Sequence, residues 1–338
     1  MARKAVRLSD IAEKLGVSTV TVSNALANQR GVSEELREKI KAMAAEMGYQ
    51  APGSQAVAKT AVNIGVLVQE RYLGNGSSFY WKLYQELAVA CAAHNCLLAF
   101  CVLKTDEEKN IEIPAMINDH RIDGLIVMGE ISRAYLRALE REAGMPMIFL
   151  DFYAAEFDVD CIISNNFYGM YTATRHLIKK GHKKIAYVGS IKSNSSIVDR
   201  YFGYLKAMRQ YGIEERDEWI IEDRVPGTME IVEPKLPENM PTAFVCNCDQ
   251  TASMLIHELE DNGYRVPEDI SVVGYDNFLF MPVCNVAITT YGVDMPEMAK
   301  AAAERIIARV KNLDKGPGHL VVISGYLIEG ESVMASSK

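Results

Sequence analysis

The sequence predicts an N-terminal all-α helix-turn-helix head joined to an α/β core of two doubly wound parallel-sheet subdomains. Three observations lead there. Three short amphipathic helices fit into the first fifty positions, two of them meeting at Gly16. From residue 62 onward, short apolar runs alternate with longer helical stretches, and the rhythm occurs twice. The charge also changes sign between the two regions.

In the head, Leu8, Ile11, Ala12 and Leu15 recur at helical spacing. Gly16 permits a backbone reversal that a Cβ would oppose, and Ser18 can cap a second helix whose inward face is Val22, Ala25 and Leu26. Thr19, Val20, Thr21, Ser23 and Asn24 lie on the N-terminal half of that helix, where a recognition helix approaches base edges. Asn pairs well with adenine. A third helix follows from Ser33, with Leu36, Ile40, Met43 and Ala44 as its stripe. The pattern is that of a DNA reader, although a small helical cap on an enzyme would show the same three segments.

Charge favours the DNA reader. Residues 1–60 hold nine basic and six acidic side chains, a net +3, whereas the rest hold 27 and 38, a net −11, within a whole-chain charge of −8. A polyanion would meet only the head. Because +3 is modest, two heads working as a homodimer are expected. At 338 residues and 49% apolar composition, the chain is long enough for two or three domains with sizeable cores. The N-terminus lacks an apolar signal core, and no run approaches a membrane span, so a cytoplasmic protein is expected.

The body reads element by element. Strands are expected at Val62–Val68, Leu97–Leu103, Gly124–Val127, Met147–Leu150 and Cys161–Ile163, with helices at Tyr80–Ala93, Ile111–Asp119 and Arg133–Glu142. A second set follows: helix Tyr168–Lys180, strand Lys184–Val188, helix Val198–Tyr211, strand Ala243–Cys246, helix Thr251–Asn262, strands Ile270–Tyr275 and Ala287–Thr290, helix Met295–Val310, and strands near Val321–Ile323 and Tyr326–Ile328. Pro226, Pro234, Pro237 and Pro241 exclude a long helix between Ile221 and Ala243. The expected division is 1–50 for the head, 51–61 for a short hinge and 62–338 for the core. Its first subdomain takes about 62–164 and 292–323, its second about 165–291 and 324–338. Ligands of such sheets bind beyond the carboxyl ends of the strands.

Nothing in the chain points to an enzyme or to a cofactor. Gly74-Asn75-Gly76 lacks the third glycine of a dinucleotide fingerprint, and there is no phosphate loop, no H-E-x-x-H and no nucleophile elbow. The six histidines are scattered singly. The seven cysteines lack a C-x-x-C pair, and most sit inside apolar runs, as buried reduced thiols do. Cys246 and Cys248 read as a strand residue followed by a loop residue rather than metal ligands.

The chain resembles the lactose/galactose repressor family of bacterial transcription regulators. In the head the resemblance rests on Leu8-Ser9-Asp10-Ile11-Ala12, Gly16-Val17-Ser18, Thr21-Val22-Ser23, Val32-Ser33 and Gly48-Tyr49. In the body it rests on Ile122-Asp123-Gly124-Leu125-Ile126, on His176-Leu177-Ile178 with Gly181-His182-Lys183-Lys184-Ile185-Ala186-Tyr187, on Pro241-Thr242-Ala243, and on Val266 through Asp276. Such a core is periplasmic-binding-protein-like. The resemblance implies base reading by Thr19, Val20 and Asn24, with Thr21 and Ser23 at phosphates or as helix caps. It also implies a hinge that wedges the minor groove. Here the hinge is short and Leu-free, which leaves Val57 as the wedge and implies weaker kinking.

For the crevice, the resemblance implies ligand binding by Arg200, in the frame Arg200-Tyr201-Phe202-Gly203, and by Asp276 at a strand end. Asp249 matches a strand-end Asp, and Phe79 and Tyr80 match an aromatic pair that can stack on a sugar. Tyr72, Asn166 and Ser196 complete the set. Cys248 stands where relatives usually have Asn. The function so implied is a dimeric, ligand-controlled regulator of double-stranded operator DNA, a repressor with a carbohydrate effector and no membrane partner. The alternatives are a regulator controlled by a phosphocarrier protein, and a solute-binding protein.

Overall fold

The computed structural model describes residues 6–26, 32–47, 49, 62–74 and 78–336. The chain divides into two compact units, Met1–Ala61 and Val62–Lys338. The expected hinge, 51–61, lies outside the described residues, and Val57 with it.

The first unit is built on three helices, α1 (Leu8–Leu15), α2 (Thr19–Leu26) and α3 (Glu34–Met47). The Asp10 carboxylate accepts the Arg7 amide at 2.7 Å and closes the first turn of α1. Gly16 ends α1 in the left-handed region at φ 64°, and the Val17 amide returns to the Ala12 carbonyl at 3.0 Å. Ile11, Ala12, Val22, Ala25, Ile40 and Ala44 form its buried core. Each fully buried aliphatic side chain contributes about 1.5–3 kcal/mol by leaving water, so these few residues hold a small domain.

The second unit contains two six-stranded sheets. Its elements are β1 (Val62–Gln69), α4 (Phe79–Ala93), β2 (Cys96–Leu103), α5 (Thr105–Asn110), α6 (Ala115–Asn118), β3 (Gly124–Met128), α7 (Arg133–Ala143), β4 (Met147–Leu150) and β5 (Asp160–Ser164). They continue as α8 (Asn166–Lys179), β6 (Ile185–Val188), α9 (Ser195–Gln210), β7 (Ile220–Ile221), β8 (Ala243–Cys246), α10 (Asp249–Asp261), β9 (Ser271–Asp276), β10 (Thr289–Gly292), α11 (Met295–Val310), β11 (Leu320–Ile323) and β12 (Tyr326–Ile328).

The first sheet runs β11-β5-β4-β3-β1-β2 and is parallel throughout. The second runs β12-β10-β9-β8-β6-β7, parallel except for its edge pair, in which β12 lies antiparallel to β10. The strands have near-continuous apolar runs because helices cover both faces of each sheet. On the first sheet, one layer gathers Ile64, Val66 and Val68 with Leu83, Leu87, Met298 and Ile306 of α4 and α11, and the other gathers Leu67, Val127 and Phe149 with Leu136 and Leu139 of α7. The second sheet is sandwiched in the same way between α8 with α9 and α10.

Three crossings join the lobes: β5 leads to α8, β10 leads to α11, which packs on the first sheet, and β11 leads to β12. Helices α8 and α9 approach closely because Gly203 has no side chain. A Cβ there would lie 2.2 Å from the Phe167 carbonyl oxygen.

One expected element is different. The sequence predicts a helix over Ile111–Asp119, but α5 ends at Asn110, Ile111 takes a left-handed φ of 58°, and a single turn, α6, resumes after Pro114. Pro114 lacks the N–H a continuous helix needs. The polar helix α5 carries no apolar period, and Glu107 closes its first turn by accepting the Lys104 amide at 2.9 Å. The stretch from Glu222 to Pro241 forms no helix, as its prolines require.

Candidate functional site

On α2, Ser18 accepts the Thr21 amide at 3.0 Å, so the helix starts on a side-chain cap. Thr19, Val20 and Ser23 are exposed, Val20 at 64%, and Thr21 and Asn24 are half-buried. The Thr21 hydroxyl lies 2.8 Å from that of Ser18 and is held in the cap. An outward valine among small polar groups can touch a thymine methyl but offers no hydrogen bond.

The second candidate site lies in the core, where strand ends of both lobes meet. From the first lobe, α4 supplies Phe79 and Tyr80. Tyr80 is buried, and its hydroxyl donates to Asp151 Oδ2 at 2.8 Å. Asp151 follows β4 with φ 67° and is 4% exposed, and its Oδ1 has no hydrogen-bond partner among the described residues. Burial lifts this carboxyl to about 6 against the pull of Arg200, and it pushes Tyr80 well above the ordinary phenol range. Tyr72 is buried beside Tyr80, ring centroids 4.5 Å apart, and donates to the Glu130 carbonyl at 2.8 Å; burial raises it to about 12.

From the second lobe, α9 places Arg200 over the Tyr275 ring at 4.1 Å. Its Nε donates to Asn166 Oδ1 and its Nη1 to the Asn247 carbonyl, both at 2.8 Å. Asp276 ends β9 with φ 89°, and its Oδ1 accepts the Phe278 amide at 2.9 Å. Burial raises its carboxyl to about 7, while Arg200 opposes the rise. Phe278 meets Phe79 of the other lobe edge to face at 6.3 Å. Ser196 Oγ donates across the cleft to the Asp151 carbonyl at 3.4 Å. At the mouth, a cavity of about 520 Å³ is lined from both lobes by Arg71, Tyr72, Glu130, Tyr153, Lys192 and Asp199, among others.

Seven of the eight expected crevice residues thus gather around one cleft. Asp249 is placed differently from its expected strand end: it is the first residue of α10, pressed against Asp276 and Thr290, and burial and the Asp276 charge push it well above the usual carboxylate range.

Sequence reasoning missed Asp151, Asn247, Tyr275 and Phe278. Asp151 carried a signal, since it follows an apolar run as Asp276 does. It also missed the pair Asp223–Arg224, which lies in the irregular proline-bearing segment and had none. Both residues are buried. The Asp223 carboxylate accepts from Arg224, from Asn247 at 2.5 Å, from Thr251 at 2.6 Å and from the Ser190 amide at 2.8 Å. Burial would raise Asp223, but Arg224 and these donors together hold it below the usual range.

Among the described residues, no group of three His, Cys, Asp or Glu side chains is placed to hold a metal, and no helix is long and apolar enough to cross a membrane. All seven cysteines are free thiols.

Comparison with known proteins fits this geometry. Residues 7–51 match the bacterial regulatory proteins of the lacI family, and residues 174–333 match a periplasmic binding protein-like domain. The HTH-type transcriptional repressor PurR of Pectobacterium atrosepticum is 30% identical over 336 residues, covering 96% of each chain. PurR of Vibrio atlanticus is 31% identical over 317 residues, covering 91% of this chain and 92% of its own. Among solved structures, a CelR–cellobiose complex superposes with a TM-score of 0.67 at 20% identity, over 97% of this chain and 99% of its own. The lac repressor dimer bound to operator and the anti-inducer ONPF superposes with 0.65 at 22%, over 98% and 100%.

Proposed function

The chain belongs to the lacI family of bacterial regulatory proteins, and from that premise we propose that it is a cytoplasmic, homodimeric transcriptional repressor whose hold on operator DNA is set by a small effector, a carbohydrate, bound between the core lobes. The observation that supports this reading most is the convergence of Tyr80 and Asp151 from one lobe with Arg200 and Asp276 from the other. A ligand touching both lobes binds one relative arrangement of them better than another, and that differential affinity shifts the population. Arg200, Asn166, Ser196 and Asp276 offer donors and acceptors suited to hydroxyls, and Phe79, Tyr80 and Phe278 offer ring faces and edges.

In the head, Thr19, Val20 and Asn24 read bases, while Ser23 and Thr21 serve phosphate contact and the cap. In the core, an exposed apolar patch suits the face where two copies meet. Leu97 and Val102 of the edge strand β2 and Trp81 and Val89 of α4 are all exposed, and Trp81, Tyr84 and Phe100 cluster there.

The test is selection of duplexes from a random library by the full chain, followed by anisotropy titration of the enriched sequence with D-glucose, D-galactose, D-ribose or cellobiose present. An enriched pseudo-palindrome and a tenfold or larger change in its affinity with one compound are expected. Equal binding to all duplexes would overturn the reading.

A further inference from the structure

The cleft buries more acid than base. Asp151 and Asp276 converge on it, each at most 7% exposed, and the guanidinium between them is that of Arg200. Arg224 is nearby but bonded to Asp223, so that pair is already neutral. Arg200 spends Nε on an amide oxygen and Nη1 on a backbone carbonyl, and no direct hydrogen bond to Asp151 or Asp276 is formed. Asp151 directs a second, independent signal at the same place. Its Oδ2 is taken by Tyr80, whereas its Oδ1 is buried without any donor among the described residues.

A buried carboxylate oxygen without a partner is strongly unfavourable. Three occupants can be weighed against that demand. A carboxylate or phosphate on the ligand would add negative charge to the excess. A neutral polyol would supply O–H donors but leave the charge uncompensated. An ammonium group supplies up to three donors and the missing positive charge together.

We propose that the effector carries a cationic amine directed at the carboxyls of Asp151 and Asp276, so that the cleft selects an amino sugar over a neutral sugar of the same shape. This rests on reading the cleft as the effector site, and it names the class of effector. Burial raises the carboxyls of Asp151 and Asp276, to about 6 and about 7, against the pull of Arg200, so that one guanidinium does not offset the desolvation of both. The mouth leans the same way, with Glu108, Glu130 and Asp199 against Arg71 and Lys192. A net charge of −11 over residues 62–338 draws a cation toward it.

The test is calorimetric titration of the full-length protein at pH 7.5 with D-glucosamine and D-galactosamine, against D-glucose, D-galactose and the uncharged N-acetyl derivatives of both amines. Binding of one amine at least tenfold tighter than its hydroxyl and N-acetyl counterparts is expected. Asp151→Asn and Asp276→Asn should each erase that preference while leaving the melting temperature of the ligand-free protein unchanged or raised. The wild-type comparison stands even where a variant fails to fold. Equal or tighter binding of the neutral sugars overturns the amine and leaves the cleft reading intact. No heat from any compound overturns the amino sugar class, and the cleft reading then stands or falls on the operator titration.

Discussion

Arg200 Nε donates to Asn166 Oδ1 at 2.8 Å and so ties α9 to the first residue of α8, where the chain enters the second lobe. The guanidinium is fixed twice more, by the Asn247 carbonyl and by the face of Tyr275. Its remaining edge is therefore aimed before any ligand arrives, and pre-aimed groups bind with less entropy lost.

Arg200→Lys keeps the charge but loses the fork. Effector control of operator affinity should fall at least tenfold, while effector-free operator binding stays within a factor of about three. Anisotropy titration with and without effector reads both. Asn166→Ala should produce a weaker form of the same defect, since it releases only Nε. Arg200→Ala removes the side-chain donor of the buried Asn247 carbonyl and leaves Asn166 Oδ1 with the Ser164 hydroxyl alone, and should destabilise the core by about 3 kcal/mol in urea unfolding.

Asp276 and Asp151 give the core a defined response to pH. Their carboxyls are raised to about 7 and about 6 in the folded state, against about 3.9 for an unfolded Asp. Below pH 4 both states are protonated and these groups are neutral toward folding. Between pH 4 and 7 the unfolded chain gives up protons that the folded one retains, so their contribution to stability falls with rising pH and levels off above 7. Asp223 has the opposite slope, so the informative quantity is a difference. The gap between Asp276→Asn and wild type should widen in favour of the variant from pH 4 to 7. A gap that does not change with pH would refute the assignment.

Gly203→Ala should unfold or severely destabilise the second lobe. The added methyl would sit 2.2 Å from the Phe167 carbonyl oxygen, and backbone cannot yield as the tip of a side chain can. A loss of about 3 kcal/mol or more is expected, because overpacking and separation of α8 from α9 act together. The melt of the ligand-free chain measures it.

Asn24→Ala should weaken cognate operator binding by about 1–3 kcal/mol and relax preference at one base pair, as loss of a base-edge contact does. Ser18→Ala should instead cost the head about 1 kcal/mol of stability through the lost cap, with sequence preference unchanged. Binding selection on both variants separates reading from folding; a uniform loss over all duplexes with Asn24→Ala would argue against its role.

Leu97→Glu combined with Val89→Glu places charges in the proposed dimer face. Sedimentation should show the wild type as a dimer and the variant as a monomer with unchanged circular dichroism. A dimeric variant would move the interface elsewhere.

Most strands and long helices could be read from periodicity because their burial is one-sided or complete, and Met295–Val310 and Met147–Leu150 coincide with their expected limits. Periodicity did not find α5, whose residues Thr105–Asn110 carry no apolar stripe and whose helix is held by local carboxylates. Arg200 and Asp276 were found through motif context. Asp223 and Arg224 were not, since their partners Ser190, Asn247 and Thr251 come together only when three strand ends align in space. Residues whose role depends on a distant partner leave no local pattern.

The last two strands follow one another in the chain but close different sheets, β11 on the first and β12 on the second. Ser332, just beyond them, accepts the Thr289 amide at 2.8 Å and donates to the Val272 carbonyl at 2.6 Å. A premature stop codon near position 319 would therefore strip an edge from both lobes and remove that clasp. For the same reason, no uninterrupted gene fragment encodes either lobe whole without also encoding part of the other.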